Sequence, residues 1–287
     1  MAMKKRYCMT LDDELMKKLD RFLDGSKFKN RSQTAEFFMK LGLSQYRPER
    51  SALILCGGLG TRLRPLTFVT PKPMLPIGNQ PLLEYQINYL KKYEFDRIVL
   101  AVGYLQEQIV RYFSDGQKYG VKIAYSFEKD PLDTGGAVKN AEDLLNADFI
   151  AMNSDVLFDS LDLDRLFEFH KSRDAVATVA LVKTNDTSRF GVVRLGEDDT
   201  LTDFIEKPRM PIGEPGWINA GVYAFSTKIF DYVKPEQRIS LEKAVFPKLA
   251  KERKVYGFKY DGYWSDMGTQ EDYIEVVRDI LTGKLKV

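Results

Sequence analysis

"ALILCGGLGTRLRPLTFVTPKPMLPI", residues 52–77, passes from an unbroken apolar run into a segment with three glycines, four prolines and three cations. Five apolar residues bounded by glycine read as a strand buried on both faces. Gly57, Gly58 and Gly60 permit backbone angles and close approaches that a side chain forbids, while Arg62, Arg64 and Lys72 supply positive charge. A loop of that composition, placed directly after a buried strand, is suited to folding around an anion. It fits neither common phosphate pattern. The G-x-x-x-x-G-K-[ST] spacing is missing, and Leu63 stands where G-x-G-x-x-G needs its third glycine.

Working outward, strand-like and helix-like runs alternate. "PLLEYQINYLKKY" (81–93) predicts a helix opened by Pro81, with Leu82, Tyr85, Ile87 and Leu90 on one side. "RIVLAVG" (97–103) predicts a second strand, "LQEQIVRYFSDG" (105–116) a helix ended by Gly116, and "VKIAYS" (121–126) a third strand. "DFIAMNSD" (148–155) is a fourth and delivers Asp155 just past its end. Such alternation predicts an α/β fold, a mostly parallel sheet with helices on both faces. Ligands of such sheets sit beyond the carboxyl ends of the strands, where the glycine loop and Asp155 both fall. From residue 175 the chain becomes strand-rich ("AVATVALV", "FGVVRL", "TLTDFIEKP", "WINAGVYAFS"), which extends the sheet and builds a second lobe. "TQEDYIEVVRDILTGKL" (269–285) predicts an amphipathic helix with Tyr273, Ile274, Val277 and Ile280 on its apolar face.

Composition narrows the classes. The chain has 287 residues, 44% hydrophobic and 29% charged. No apolar run approaches the roughly 20 residues of a membrane span, and no continuous apolar stretch follows the initial cations, so neither a membrane anchor nor a secretory signal is expected. Cys8 and Cys56 are the only cysteines and form no C-x-x-C pattern, which fits a reduced, cytoplasmic setting. His170, the only histidine, lies in "LFEFHKSRD" and reads as a solvated helix residue. Residues 1–50 carry 12 Lys and Arg against 7 Asp and Glu, the remainder 31 against 34, so a basic amino-terminal piece precedes a mildly acidic body.

"GGLGTRLRPLT" followed by "PKPMLPI" resembles the signature of the sugar-1-phosphate nucleotidyltransferases. The resemblance continues in order through "PLDTGGAVKNA", "NSD", "FGVV", "EKP", "NAGVYAF" and "WSDMGT" and spans residues 51–287. It implies a Rossmann-like α/β body in which a sugar-phosphate oxygen attacks the α-phosphorus of a nucleoside triphosphate and pyrophosphate leaves. Such catalysis is mostly positioning and electrostatic stabilisation. Gly57, Gly58, Gly60 and Thr61 would line a nest for the triphosphate, Arg62 would grip its β and γ oxygens, and Lys72 would reach the α-phosphate. By the same resemblance Asp155 and Asp266 would hold Mg²⁺. Lys207 would bind the sugar phosphate and Glu206 a sugar hydroxyl, with Asn219 and the backbone of Gly191 facing the sugar. Gly136 would allow close approach to the nucleotide, and Trp264 would stand beside the pocket. Members of the family more usually carry Gly where Asp133 stands. Whole-chain resemblance favours GTP and mannose 1-phosphate. Glucose 1-phosphate with a thymidylyl or uridylyl donor is the alternative.

Residues 1–45 resemble a ribbon-helix-helix domain. "KRYCMTL" (5–11) alternates, with Tyr7, Met9 and Leu11 on one face and Arg6, Cys8 and Thr10 on the other. "LDDELMKKLDRFLD" and "SQTAEFFMKLGL" predict two helices, the second capped by Ser32. A strand and two helices enclose little core alone, so the piece is expected to form at least a homodimer. The resemblance implies duplex DNA as a partner, read by Arg6, Cys8 and Thr10, with Asn30, Arg31 and Ser32 beside a phosphate. A pure assembly role is the rival reading of this head. For the whole chain, a DNA-binding regulator that senses a sugar nucleotide is the alternative to an enzyme. "SQYRPERS" (44–51) is the linker.

Overall fold

The carboxylate of Asp12 accepts the Leu15 N–H at 2.8 Å and so opens α1 (Asp13–Asp20), the first element of the computed structural model. The structure describes residues 10–23, 28–45, 49–185, 187–206 and 215–285, which fall into two units, Met1–Glu49 and Arg50–Val287. Arg6, Cys8, Tyr7 and Met9 lie outside the described residues, as does Lys207. In the head, α2 (Arg31–Gln45) is capped by Asn30, whose Oδ1 accepts the Gln33 N–H at 3.0 Å, and not by Ser32, which lies inside the helix. Arg31 donates from Nε and Nη2 to the two carboxylate oxygens of Asp20, both at 2.7 Å. Its charge is therefore met within the unit. Phe22 lies 4.6 Å from Phe38 and Phe28 lies 5.0 Å from Phe37 between ring centroids. Leu15, Phe22, Phe37, Met39 and Leu41 stay exposed.

In the body, β1 (Ser51–Cys56) is buried on both faces: Ala52, Ile54 and Cys56 enter one core and Leu53 the other. The loop that follows turns back through a small ribbon, β2 (Pro76–Ile77) with β3 (Gln80–Pro81), into α3 (Leu82–Lys92). Strand β4 (Arg97–Val102), helix α4 (Gln106–Phe113), strand β5 (Lys122–Phe127), helix α5 (Asp133–Asn140) and strand β6 (Phe149–Asn153) come next. The parallel order is β5-β4-β1-β6. The chain thus moves to one side of β1 for two strands and crosses to the other side for β6. That reversal opens a crevice beyond the carboxyl ends of β1 and β6.

After β7 (Val156–Phe158) and α6 (Leu163–Ser172), strands β8 (Ala177–Thr184), β9 (Gly191–Leu195), β10 (Leu201–Glu206) and β11 (Gly216–Phe225) continue the same nine-stranded sheet. β11 joins it antiparallel to β6, and β12 (Val255–Lys259) adds parallel to β8 after α7 (Phe246–Lys251). β13 (Trp264–Asp266) pairs antiparallel with β7, setting Asp266 opposite Val156. Helices α3, α4 and α6 cover one face of the sheet, and α5 and α7 the other.

Four local expectations change. The helix expected to end at Gly116 stops at Phe113, where Ser114 turns to φ +49°. α8 (Gln270–Leu281) buries Asp272, Val276 and Asp279, and leaves Ile274 exposed. Its two buried acids have partners: Asp272 serves Thr269 and Arg189, and Asp279 accepts from Tyr263 and Lys284. His170 is buried, with Nδ1 3.0 Å from Thr178 Oγ1, and burial pulls it down to about 4, so it is a neutral core residue and not a solvated one. The body begins two residues before the expected strand, at Arg50, whose guanidinium lies over Phe95 and pairs with Asp164 at 2.6 Å.

Candidate active site

Gly60 has φ +61°, and a Cβ there would stand 2.9 Å from Thr67 Cγ2, so the bend after β1 requires glycine. Thr67 Oγ1 donates to Gly60 O at 2.7 Å and Leu63 N to the same oxygen at 2.9 Å, closing the loop on itself. Buried Leu63 anchors it in a small core with Leu75, Ile77, Met267 and Val276. The loop borders a cleft of about 450 Å³ lined by Gly57, Gly58, Gly60, Thr61, Arg62 and Lys72. A second cavity of about 370 Å³ adjoins it, and the two share Arg62, Asp133, Thr134, Asn153 and Asp155. The shared residues define a seam.

Lys72 and Asp155 meet at that seam. Pro71 and Pro73 bracket Lys72 in a single tight turn (Lys72–Met74), which aims its side chain. Nζ lies 2.5 Å from Asp155 Oδ2. Asp155 leaves β6 two residues past its end, and its carbonyl accepts the Met267 N–H at 2.8 Å. Burial works to raise the Asp155 carboxyl, but the Lys72 ammonium and Arg62 behind it outweigh burial and hold it below the ordinary carboxylate range. Asp266, brought alongside by the β7–β13 pairing, goes the other way. Burial and the neighbouring charges of Asp155 and Asp272 push it up to about 6. Two neighbouring carboxylates divide in this manner when one of them holds the nearer cation. Gly268 leaves room for the Asp266 carboxylate, since a Cβ there would come within 2.6 Å of its Oδ2.

The second cavity is lined from the antiparallel half of the sheet. Gly191 and Glu206 face each other across β9 and β10, and a Cβ at Gly191 would meet Phe204 at 2.7 Å. Asn219 donates from Nδ2 to Tyr223 Oη at 2.8 Å and accepts the Gly221 N–H at 2.9 Å, so its amide plane is fixed. Trp264 lines the wall while its Nε1 donates to Ala220 O at 2.8 Å. Gly191, Glu206 and Asn219 are thus brought together as the sequence predicts. Gly136 is not. It is buried in α5 and lines neither cavity, and its missing side chain makes room for the carbonyl of Gln237.

Among the lining groups that sequence reasoning missed, four are charged side chains with identifiable neighbours or position. Arg238 adds a cation to the larger cleft from a segment with no motif around it. Glu128, whose carboxyl burial pushes up, sits against Gly57 and accepts the Leu132 N–H at 3.0 Å. Arg189 enters the second cavity while paired with Asp272 at 2.5 Å. Glu242 joins Thr134 Oγ1 (2.7 Å) and Ser240 Oγ (2.6 Å) beneath it. Asp133 was noticed only as a departure from the family pattern; here it lines both cavities with φ +61°, a conformation that favours glycine.

Residues 51–283 match the nucleotidyl transferase family. The mannose-1-phosphate guanylyltransferase catalytic subunit beta of Dictyostelium discoideum is 39% identical over 227 residues, which cover 78% of this chain and 62% of that protein. The chain therefore spans less than two thirds of the length of such curated relatives. Among solved structures, a Bacillus anthracis protein assigned as a glucose-1-phosphate thymidylyltransferase superposes with a TM-score of 0.72 at 25% identity, covering 83% of this chain and 97% of that one. HddC from Yersinia pseudotuberculosis complexed with GMP-PN gives 0.68 at 30% identity, covering 80% and 99%.

Proposed function

The chain belongs to the nucleotidyl transferase family, and we propose that it transfers a nucleotidyl group from a nucleoside triphosphate to a sugar 1-phosphate, with GTP and mannose 1-phosphate as the pair. The observation that carries this reading is Lys72 held against Asp155, beside Asp266, on the seam between two adjoining cavities. One cavity suits the triphosphate and the other the sugar, so the α-phosphorus falls at the seam. Among relatives, the guanylyltransferases and a structure holding a guanine nucleotide analogue support the choice of base.

The triphosphate lies in the glycine cleft against the amides of Gly58 to Thr61, with Arg62 on its outer oxygens. The sugar 1-phosphate enters the second cavity, where Glu206 accepts from a sugar hydroxyl and Arg189 supplies charge for the phosphate, a role the family resemblance also gives to Lys207. Its oxygen attacks the α-phosphorus, the bond to the β-phosphate oxygen breaks, and pyrophosphate leaves. Lys72 meets the negative charge that grows at the α-phosphate during transfer, and Asp155 keeps it aimed.

Asp155 and Asp266 also fit Mg²⁺. They are hard oxygen donors, and the charges of Asp155 and Asp272, which together with burial raise Asp266, are ones a bound cation would offset. Among the described residues no third His, Cys, Asp or Glu joins them as a cage, which suits an ion that keeps waters and phosphate oxygens. When bound, the ion neutralises charge on the transferring phosphates.

The head reads as an assembly device. Its exposed Leu15, Phe22 and Phe37 suit a second copy of the same unit in a cytoplasmic homodimer, while Arg31, already paired with Asp20, is a poor phosphate contact. Pyrophosphate release over a matrix of nucleoside triphosphates and sugar 1-phosphates tests the reaction. GTP with mannose 1-phosphate is expected to give the highest kcat/KM. Preference for dTTP or UTP with glucose 1-phosphate would replace the substrates, and no release from any pair would remove the reading.

A further inference from the structure

Gln86 is 2% exposed and lies on the buried face of α3 with Leu83, Ile87 and Leu90. A buried amide there costs about 1–3 kcal/mol for each polar atom left unpaired. Its Nε2 donates twice, to Asn153 O and to Val156 O, both at 2.9 Å. Its Oε1 is buried with no hydrogen-bond partner among the described residues. Flipping the amide would set that oxygen against two carbonyl oxygens, so the orientation follows from chemistry. An apolar side chain of the same length would remove the unpaired Oε1 and withdraw the donor from both carbonyls, so the amide is kept for what those two bonds hold in place.

The two carbonyls flank Asp155. One precedes it by two residues and the other follows it by one, so a single side chain ties the turn at both ends. Val156 in turn faces Asp266 across the β7–β13 ribbon. α3 contributes no residue to either cavity lining. Gln86 reaches the site only through the backbone that presents Asp155.

We propose that Gln86 is a positioning residue for the transfer, clamping the Asn153–Val156 turn so that Asp155 meets Lys72. The role rests on the reaction proposed above. A misplacement of about 1 Å in such a group can cost on the order of 100-fold in rate.

Two variants test it in the full-length protein. Gln86→Met keeps the volume and removes both donors. Its thermal midpoint should fall by no more than a few degrees, since two carbonyls lose this donor while one unpaired oxygen is removed, and its KM values should stay within about threefold, while kcat falls about 30- to 100-fold. Gln86→Glu, facing two carbonyls, takes up a proton and keeps one O–H donor. Its kcat should lie between the other two, and its ratio to the parent should fall as pH rises. A folded Gln86→Met with kcat within threefold of the parent overturns the positioning role alone. If Gln86→Met does not fold, the Gln86→Glu ratio decides, and a ratio independent of pH overturns the proposal. Absence of turnover in the parent with every substrate pair overturns the reaction, and this role with it.

Discussion

The parallel half of the sheet (β1, β4, β5, β6) and its antiparallel half (β8 to β11) end at the same cleft but furnish it differently. On the parallel side, functional groups sit in loops directly after strands: the glycine turn after β1 and Asp155 after β6. Loops there can bend around a phosphate and gather cations. On the antiparallel side, the groups are strand side chains placed by register, with Gly191 opposite Glu206. The register of β11 against β8 shifts between Asn219 and Tyr223, where Gly221 has φ +72°, and this irregularity presents Asn219. On the proposed reading, loops after parallel strands hold the triphosphate, while strand side chains placed by register, with one irregularity in β11, face the sugar. The difference assigns chemistry to the first half and recognition to the second.

The largest effect should come from the carboxylate pair at the seam, Asp155 after β6 and Asp266 on β13. Asp155→Asn or Asp266→Asn should lower kcat by more than about 10³-fold with the fold intact, because several kcal/mol of transition-state stabilisation depend on the pair. Near-normal turnover in both would break the comparison.

Next is pH. On the proposed reading Asp266 binds Mg²⁺ as a carboxylate, and in the metal-free protein its carboxyl sits at about 6, so the apparent Mg²⁺ affinity in titrations should weaken by up to about tenfold per pH unit below that value. The same shift has a stability sign. A carboxyl raised from 3.8 to about 6 in the folded state makes the fold less stable as pH rises through that window. In metal-free protein, Asp266→Asn should raise the thermal midpoint by about 2–4 °C at pH 7 and leave it unchanged near pH 3.5, below both values. A midpoint that falls at pH 7 would contradict the like-charge account.

A smaller effect is expected at the seam. Asp133 holds φ +61° where glycine fits without strain, so Asp133→Gly should stabilise the body by about 1 kcal/mol in denaturant unfolding. Destabilisation would mean that its side chain, which accepts the Thr134 N–H at 2.9 Å, contributes more than the strain removes. The smallest effect on turnover belongs to the head. A chain of residues 50–287 should keep kcat within about twofold while its size in light scattering falls to that of a monomer. Starting at Arg50 matters, because that side chain packs on Phe95 and Phe167.

Local patterns explain what the sequence shows. A five-residue apolar run, three glycines and an Asp past a strand are each read within a few residues, and together they place the cleft. Tertiary partners explain the remainder. His170 looks solvated among charged neighbours, yet Thr178 on β8 draws it into the core. Periodicity puts Ile274 and Val277 on the buried face of α8, but Asp272 and Asp279 take it through Arg189 and Tyr263. Asp155 was visible as a site residue, whereas Gln86, which holds its turn, looks like one more position on an amphipathic helix. Arg238 has no signal in its neighbourhood at all.

Steady-state kinetics of Lys72→Ala beside Glu206→Gln test the division of labour most directly. Lys72→Ala should lower kcat by at least about 100-fold with little change in the KM for the sugar phosphate, because its contact strengthens during transfer. Glu206→Gln should raise that KM by about tenfold with kcat nearly unchanged. The opposite split, with Lys72 controlling KM and Glu206 controlling kcat, would contradict the assignment of chemistry to the parallel half of the sheet.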